Sequence, residues 1–200
     1  MTTPTAGPAR FSTRLLLSCA AIGAAGGLLA VVINYLLALV PPSPLAYAVY
    51  TATIGVWALG PLVAVSLFRV PGVGLLTAVF AGVVNLVAPT GFLQVVNFLA
   101  AGVVLELPFL VMLYRRWSDR YVRNASVVAL VLGSAGYYTS CALAGLFPAS
   151  FYPWGALATL AATVALAIGV TLLAQRVAVQ LARQGLGRRQ PATVVVAADE

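Results

Sequence analysis

Six apolar blocks divide the chain, at roughly 15–40, 47–68, 72–88, 92–114, 125–147 and 154–175. A hydrocarbon layer of about 30 Å takes about 20 apolar residues of helix to cross, so each block predicts a spanning or nearly spanning helix. The third block is at the lower limit of length. Pro71-Gly72 before it and Pro89-Thr90-Gly91 after it mark its ends clearly. The pattern predicts an all-α membrane protein, a six-transmembrane-helix bundle.

Composition strengthens that picture. Of the 200 residues 62% are hydrophobic and 8% charged, and the mean hydropathy is +1.03, far outside the range of a water-soluble domain. The apolar blocks recur to the end of the chain, so no cleaved export signal is expected. The net charge of +7 does not point to nucleic acid, because the arginines fall between and beyond the blocks and not along one stripe with aromatics interleaved. Their placement instead sets a topology. Arg10 and Arg14 precede block one, Arg69 lies between two and three, Arg115, Arg116, Arg120 and Arg123 lie between four and five, and four more follow block six, counting Arg176 at its very end. The connections PPSP (41–44), PTG (89–91) and PASFYP (148–153) carry none. The positive-inside rule then predicts both termini in the cytoplasm. The expected organisation is a disordered cytoplasmic N-terminus over 1–9, a six-helix substrate-binding domain over 10–182, and a basic then flexible cytoplasmic tail over 183–200. Residues 176–189 read either as a basic continuation of the sixth helix against anionic headgroups or as a charge cluster that only fixes topology.

Several chemistries are excluded. The chain has no histidine, which removes imidazole catalysis and histidine ligation. Cys19 and Cys141 both sit inside apolar blocks, where a cysteine behaves as a small hydrophobe. No metal site, cofactor or catalytic residue is expected. Hydrolysis by paired carboxylates needs two acids within the membrane, and the blocks contain one, so the chain does not read as an enzyme.

That acid is Glu106, in AAGVVLELPFLV (100–111), with Pro108 two residues on. A carboxylate there needs a cation or hydrogen-bond donors, and no arginine lies within the interior of a block to serve it. With the topology above, Glu106 is about 14 Å from the cytoplasmic end and forms the floor of any outward-facing pocket. The side-chain amides Asn34, Asn85, Gln94 and Asn97 fall in the outer half of three different blocks, and an unpaired amide in hydrocarbon costs about 4–8 kcal/mol, so they should face protein or a wet cavity. Interhelical hydrogen bonding is the alternative for each. Tyr50 and Trp57 are seven apart and share a helix face, while Tyr137 and Tyr138 offer hydroxyls beside Ser134, Thr139 and Ser140. These nine residues, from Glu106 to Tyr138, form the candidate substrate site. Tyr47, Tyr152 and Trp154 read as an outer aromatic belt. Asn97 and Glu106, nine residues apart, lie about 180° apart on a regular helix, which leaves open whether both line one pocket. In block one, CAAIGAAGG pairs Ala20 with Ala24 and Ala21 with Ala25 at the four-residue spacing that lets another helix approach closely, either within this bundle or from a partner subunit.

The pattern resembles the substrate-binding S component of energy-coupling-factor (ECF) vitamin transporters, in its YkoE-like thiamine and hydroxymethylpyrimidine group. The resemblance covers about residues 12–182, through the small-residue run at 19–27, GVWALGP (55–61), RVPGVGLLTAVFAGVVN (69–85), GVVLE (102–106) and GSAGYYTS (133–140). It implies capture of a vitamin from outside and delivery with a transmembrane coupling subunit and two cytoplasmic ATPases, the Ala20/Ala24 surface facing the coupling subunit. Ala78 and Asn85 stand where the family's pattern is more acidic. A self-contained proton-coupled carrier using Glu106, and a structural membrane subunit without ligand, are the rival readings from the residues themselves.

Overall fold

Serine starts three of the helices. Ser12, Ser43 and Ser118 accept hydrogen bonds from the backbone N–H groups of Leu15, Ala46 and Tyr121 at 3.2, 3.1 and 3.2 Å, each satisfying one donor that a helix N-terminus leaves without a partner. The computed structural model describes residues 12–41, 43–89, 91–147 and 152–186. The expected disordered N-terminus and most of the tail lie outside them. Among the described residues the helices are α1 (Thr13–Ala38), α2 (Pro44–Trp57), α3 (Leu59–Phe68), α4 (Val73–Val84), α5 (Phe92–Val111), α6 (Asp119–Leu143) and α7 (Tyr152–Arg183), and a single 3-10 turn, Asn85–Val87, extends α4.

Five helical stretches are long and apolar enough to cross a membrane, while Val73–Val87 is apolar but shorter. The boundaries differ from the sequence reading where local chemistry intervenes. Block two breaks at Ala58 into α2 and α3. Pro61 cannot donate to the Trp57 carbonyl four residues back and its ring crowds it, so a continuous helix is lost there. α5 stops at Val111, because Leu113 and Tyr114 take left-handed backbone angles (φ 48° and 55°) that turn the chain. α6 starts at Asp119, earlier than 125, at the Ser118 cap. α7 runs through the basic segment, so 176–183 are helical.

α2 and α3 form the centre of the bundle. In the stretch Leu45–Phe68, 72% of the apolar window is buried, against 22–33% for the other four. Around it α1 packs on α4, α4 on α5, α5 on α6 and α6 on α7, and α7 returns to α2 and α3. Glycines permit the tightest crossings. A Cβ on Gly26 would lie 3.0 Å from Gly60 Cα, so α1 and α3 cross nearly backbone to backbone. Large apolar side chains point outward, among them Leu17, Leu28, Leu36, Leu132 and Leu157, each about 60% exposed or more. That much exposed apolar surface suits lipid. The basic ends gather at one end of the bundle. Arg14 donates to the Gly185 carbonyl at 2.9 Å, tying α1 to the end of α7, and Arg69 pairs with Asp119 and donates to the Trp117 carbonyl at 2.7 Å.

Candidate ligand-binding site

The amides from three segments meet. Asn34 donates to Asn85 Oδ1 at 3.0 Å. Asn85 in turn donates to the carbonyls of Gly27 and Ala81 at 2.8 and 3.1 Å. Gln94 donates to Asn34 Oδ1 at 3.1 Å and to the Tyr50 hydroxyl at 2.9 Å, and Asn97 donates to Gln94 Oε1 at 3.4 Å. Asn34, Asn85 and Gln94 are buried, with 5%, 0% and 0% of their surface exposed. They form an interhelical lattice that links α1, α2, α4's 3-10 extension and α5, with their hydrogen-bonding capacity directed largely at one another. Replacing Asn85 with leucine removes three of these bonds and strands the Asn34 amide. We expect it to lower stability by about 2 kcal/mol, since interhelical bonds are individually modest but a stranded buried donor adds its own cost. Equilibrium unfolding in mixed micelles measures this.

Only Asn97 of the four amides reaches the cavity beside this lattice. The cavity has a volume of about 240 Å³ and lies between α2, α5 and α6. Its polar side chains are Trp57, Asn97, Tyr137 and Ser140, and Ile54, Val104, Leu105 and Leu130 supply much of its apolar wall. Ala100, Ala101, Ala129 and Gly133 also line it, and their small size is what leaves the space open. Tyr50 stands behind this wall, its ring 4.5 Å from Trp57 edge-on and 5.6 Å from Tyr137. The Tyr50 hydroxyl, held by Gln94, thus couples the lattice to the aromatic side of the cavity. Ser140 donates its hydroxyl to the Gly136 carbonyl at 2.9 Å. Trp57 is only 5% exposed, and its indole Nε1 has no acceptor. Tyr138 faces elsewhere, lining a separate crevice between α6 and α7 with Ser134, Thr159 and Thr163 and stacking on Phe147 with centroids 4.8 Å apart.

Glu106 does not form the floor of this cavity. It is buried, 7% exposed, and is not among the lining residues. Its Oε1 accepts the Gly74 N–H at 2.8 Å, and its Oε2 accepts the Tyr114 hydroxyl at 3.0 Å. The nine-residue offset from Asn97 is the physical reason: half a turn's difference on α5 sends Asn97 toward the cavity and Glu106 toward the start of α4. The carboxylate therefore serves as the side-chain cap that Gly72, the residue before α4, cannot provide. The Tyr114 phenol is pushed up to about 12, first by burial and then by its hydrogen bond to, and the charge of, Glu106. Gly74 and Tyr114 were invisible as partners in the sequence. Tyr114 lies past the end of α5, and only the left-handed turn at Leu113 and Tyr114 brings it back.

A cation in this cavity would meet no ionised side chain. Stripping an ion of water costs several kcal/mol, and the aromatic faces of Trp57 and Tyr137 would return about 2 kcal/mol or more in a desolvated site.

Comparison with known proteins places the chain. Residues 15–132 match the family described as "ABC-type cobalt transport system, permease component", which is more than half of the 200 residues. The chain belongs to this family. As a permease component it is a transport subunit and not an enzyme. None of the curated proteins matches it. The fold is similar to that of a solved protein described as "Crystal structure of an S-component of ECF transporter", with a TM-score of 0.74 and 19% identity over 88% of each chain. Cobalt, which the permease family's name carries, is held by nitrogen, sulfur or oxygen donors converging on one point. This family member has no histidine, and no three Cys, Asp or Glu side chains gather to hold a metal ion among the described residues. The cavity's own donors do not fit that ion as cargo.

The small-residue run of α1 divides between two faces. Gly23, Gly26 and Gly27 are buried, and pack against α4 and α3. Ala21 and Ala25 are exposed and line an apolar groove of about 430 Å³ between α1, α3 and α7, together with Gly26, Gly60 and Leu181. Ala20 and Ala24 are half-buried between these faces and do not line the groove.

Proposed function

We propose that this chain is the substrate-capture subunit of an ECF-type ABC importer. It takes a vitamin of the thiamine or hydroxymethylpyrimidine class from outside the cell into the α2–α5–α6 cavity, and hands it on with a transmembrane coupling subunit and two cytoplasmic ATPases. Both termini are cytoplasmic in this reading, and six segments cross the membrane, α4 with its 3-10 turn being the short one. The observation that carries it is the cavity itself, walled by small residues and aromatics and backed by a hydrogen-bonded lattice that fixes Tyr50 and Asn97. A pocket held this rigidly is the pre-organisation that tight binding requires. Gathering of Arg14, Arg69 and the α6 and α7 arginines at one end supports the topology.

Small-molecule mass spectrometry of the detergent-purified chain, followed by calorimetric titration with thiamine and hydroxymethylpyrimidine, tests the capture role. Co-purification or binding of one of them is expected, and absence of both, with no other vitamin bound, removes the reading.

The α1 groove is the coupling-subunit face in this assignment. Ala21 and Ala25 are exposed and small, which lets a partner helix approach to van der Waals contact. Ala25→Trp fills the groove. Uptake by the assembled transporter is expected to fall at least about tenfold while ligand affinity of the isolated chain stays within about twofold, because groove and cavity share no lining residue. Normal uptake by the variant would place the coupling surface elsewhere.

A further inference from the structure

We propose that Asn97 meets the cavity's ligand as a hydrogen-bond acceptor, and that Asn85, Asn34 and Gln94 are positioning residues that fix which end of its amide faces the ligand. The ligand then presents an N–H or O–H group at this point of α5. This rests on the capture role assigned above and adds to it the polarity of one contact.

The polarity starts at two backbone carbonyls. The Asn85 amide lies 2.8 and 3.1 Å from the carbonyl oxygens of Gly27 and Ala81. A carbonyl oxygen only accepts, so Asn85 turns its NH2 toward that pair, and the opposite orientation would crowd oxygen lone pairs together in a buried site. Asn85 Oδ1 is thereby left facing Asn34, which must answer with Nδ2, at 3.0 Å. Asn34 Oδ1 in turn faces Gln94, which must answer with Nε2, at 3.1 Å. Gln94 Oε1 is then directed at Asn97, whose Nδ2 lies 3.4 Å from it. This last bond is the longest of the chain, but its sense follows from the others, because an oxygen in that place would face the lone pairs of Gln94. Reversing any one amide sets two like ends against each other, so the backbone of α1 and α4 dictates the orientation of a side chain on α5.

The second observation is the free end of that chain. Asn34, Asn85 and Gln94 do not line the cavity, whereas Asn97 does and is half-buried. Asn97 Oδ1 accepts no hydrogen bond among the described residues, yet it is not one of the unpaired side-chain atoms enclosed by protein. It is therefore open, and the space that Asn97 borders is the cavity. The Ser140 hydroxyl proton already goes to the Gly136 carbonyl, so Ser140 too can only accept from a ligand. A donor brought to this wall makes its bond away from bulk water, while an acceptor brought there meets a lone pair. Because the lattice sets the amide in advance, no reorientation has to be made on binding.

The test is calorimetric titration of the full chain in nanodiscs with hydroxymethylpyrimidine or thiamine, whichever binds, and with the same compound carrying methoxy in place of its ring amino group. That exchange turns a donor into an acceptor. Wild type is expected to favour the amino compound by at least about tenfold, the scale of one well-placed buried hydrogen bond. In Gln94→Leu the Asn97 amide is free to turn, so the two compounds should bind within about threefold of each other. Gln94→Glu should restore the preference, since a carboxylate only accepts and again holds Asn97 by its NH2. A residue that merely packs would weaken both compounds alike and leave their ratio unchanged. Each ratio is taken on one protein and does not depend on its folded fraction. Asn97→Leu, which leaves the other amides paired with one another, should lose the preference as well. Equal binding of the two compounds by wild type, or an undiminished preference in Gln94→Leu, overturns the inference and leaves the capture role standing. If neither hydroxymethylpyrimidine nor thiamine binds, this inference falls, and the capture role falls too when no other vitamin co-purifies.

Discussion

Gly23→Ala is expected to loosen α1 from α4 and to lower stability by about 3 kcal/mol or more, at the upper end of overpacking effects. A Cβ built on Gly23 lies 2.6 Å from the Thr77 carbonyl oxygen and 2.8 Å from Phe80 Cβ. The first contact is with backbone, which no rotamer change relieves. One turn on, a Cβ at Gly27 meets the Ala81 carbonyl at 2.8 Å and Val84 Cβ at 3.0 Å, so the two helices touch along a line. α4 is held equally closely on its other side, where a Cβ on Gly102 of α5 would lie 2.8 Å from Ala78 Cβ. In lipid there is little hydrophobic gain from joining two helices, and close van der Waals packing of this kind carries the association. Gly136 provides the control, since a Cβ there meets nothing within 4 Å. Gly136→Ala should be neutral or stabilising by up to about 1 kcal/mol, through helix propensity alone. Unfolding in sodium dodecyl sulfate from mixed micelles compares the two. Equal stabilities for the two variants would mean that the α1–α4 contact is looser than described.

The same run of residues shows why the fold was more legible than the site. Block lengths and proline–glycine punctuation located the six apolar segments, because apolar length and backbone-breaking chemistry are local properties, but they missed the break at Ala58, the start of α6 at Asp119 and the run of α7 to Arg183. The faces of a helix are not. In CAAIGAAGG every residue but Cys19 and Ile22 is alanine or glycine, so the sequence alone could not say which side meets a neighbour. The structure puts Gly23 and Gly27 inward and Ala21 and Ala25 outward, about 200° apart on the helix. The amides illustrate the same limit. That Asn34, Asn85 and Gln94 face protein followed from the cost of leaving them in hydrocarbon. That they bond chiefly to one another, leaving Asn97 alone at the cavity, depended on pairings 51 and 60 residues apart in sequence. The cavity's small wall residues were hidden because alanine and glycine are abundant throughout, and an absence of side chain acquires meaning only once its neighbours are known.

Glu106→Ala is expected to lower stability by about 3 kcal/mol and to leave ligand affinity within about twofold, because the carboxylate holds the start of α4 and does not line the proposed ligand cavity. The reason lies in the length of α4. Its 12 residues and three-residue 3-10 extension rise about 24 Å, less than a hydrocarbon layer of about 30 Å. Val73 and Gly74 at its start are buried, so their first-turn N–H groups need acceptors within the protein. Gly72 precedes it in a left-handed conformation (φ 81°) and has no side chain to offer. Glu106 reaches across from α5 and supplies both the acceptor for Gly74 and a negative charge at the positive end of the helix dipole. Gly74 must be glycine for this, since a Cβ there would sit 2.9 Å from Glu106 Oε1 and 2.8 Å from Val65 Cγ2. Glu106→Gln separates the two contributions. Its amide oxygen can still accept from Gly74, and its NH2 can donate to the Tyr114 oxygen, so only the charge is lost and about 1 kcal/mol is the expected cost. The order wild type, Gln, Ala in unfolding free energy, with titrations of the small-molecule ligand superimposing for all three, is the signature of a capping acid. A tenfold loss of affinity in Glu106→Gln at nearly unchanged stability would instead return the carboxylate to the ligand, and with it a cationic substrate.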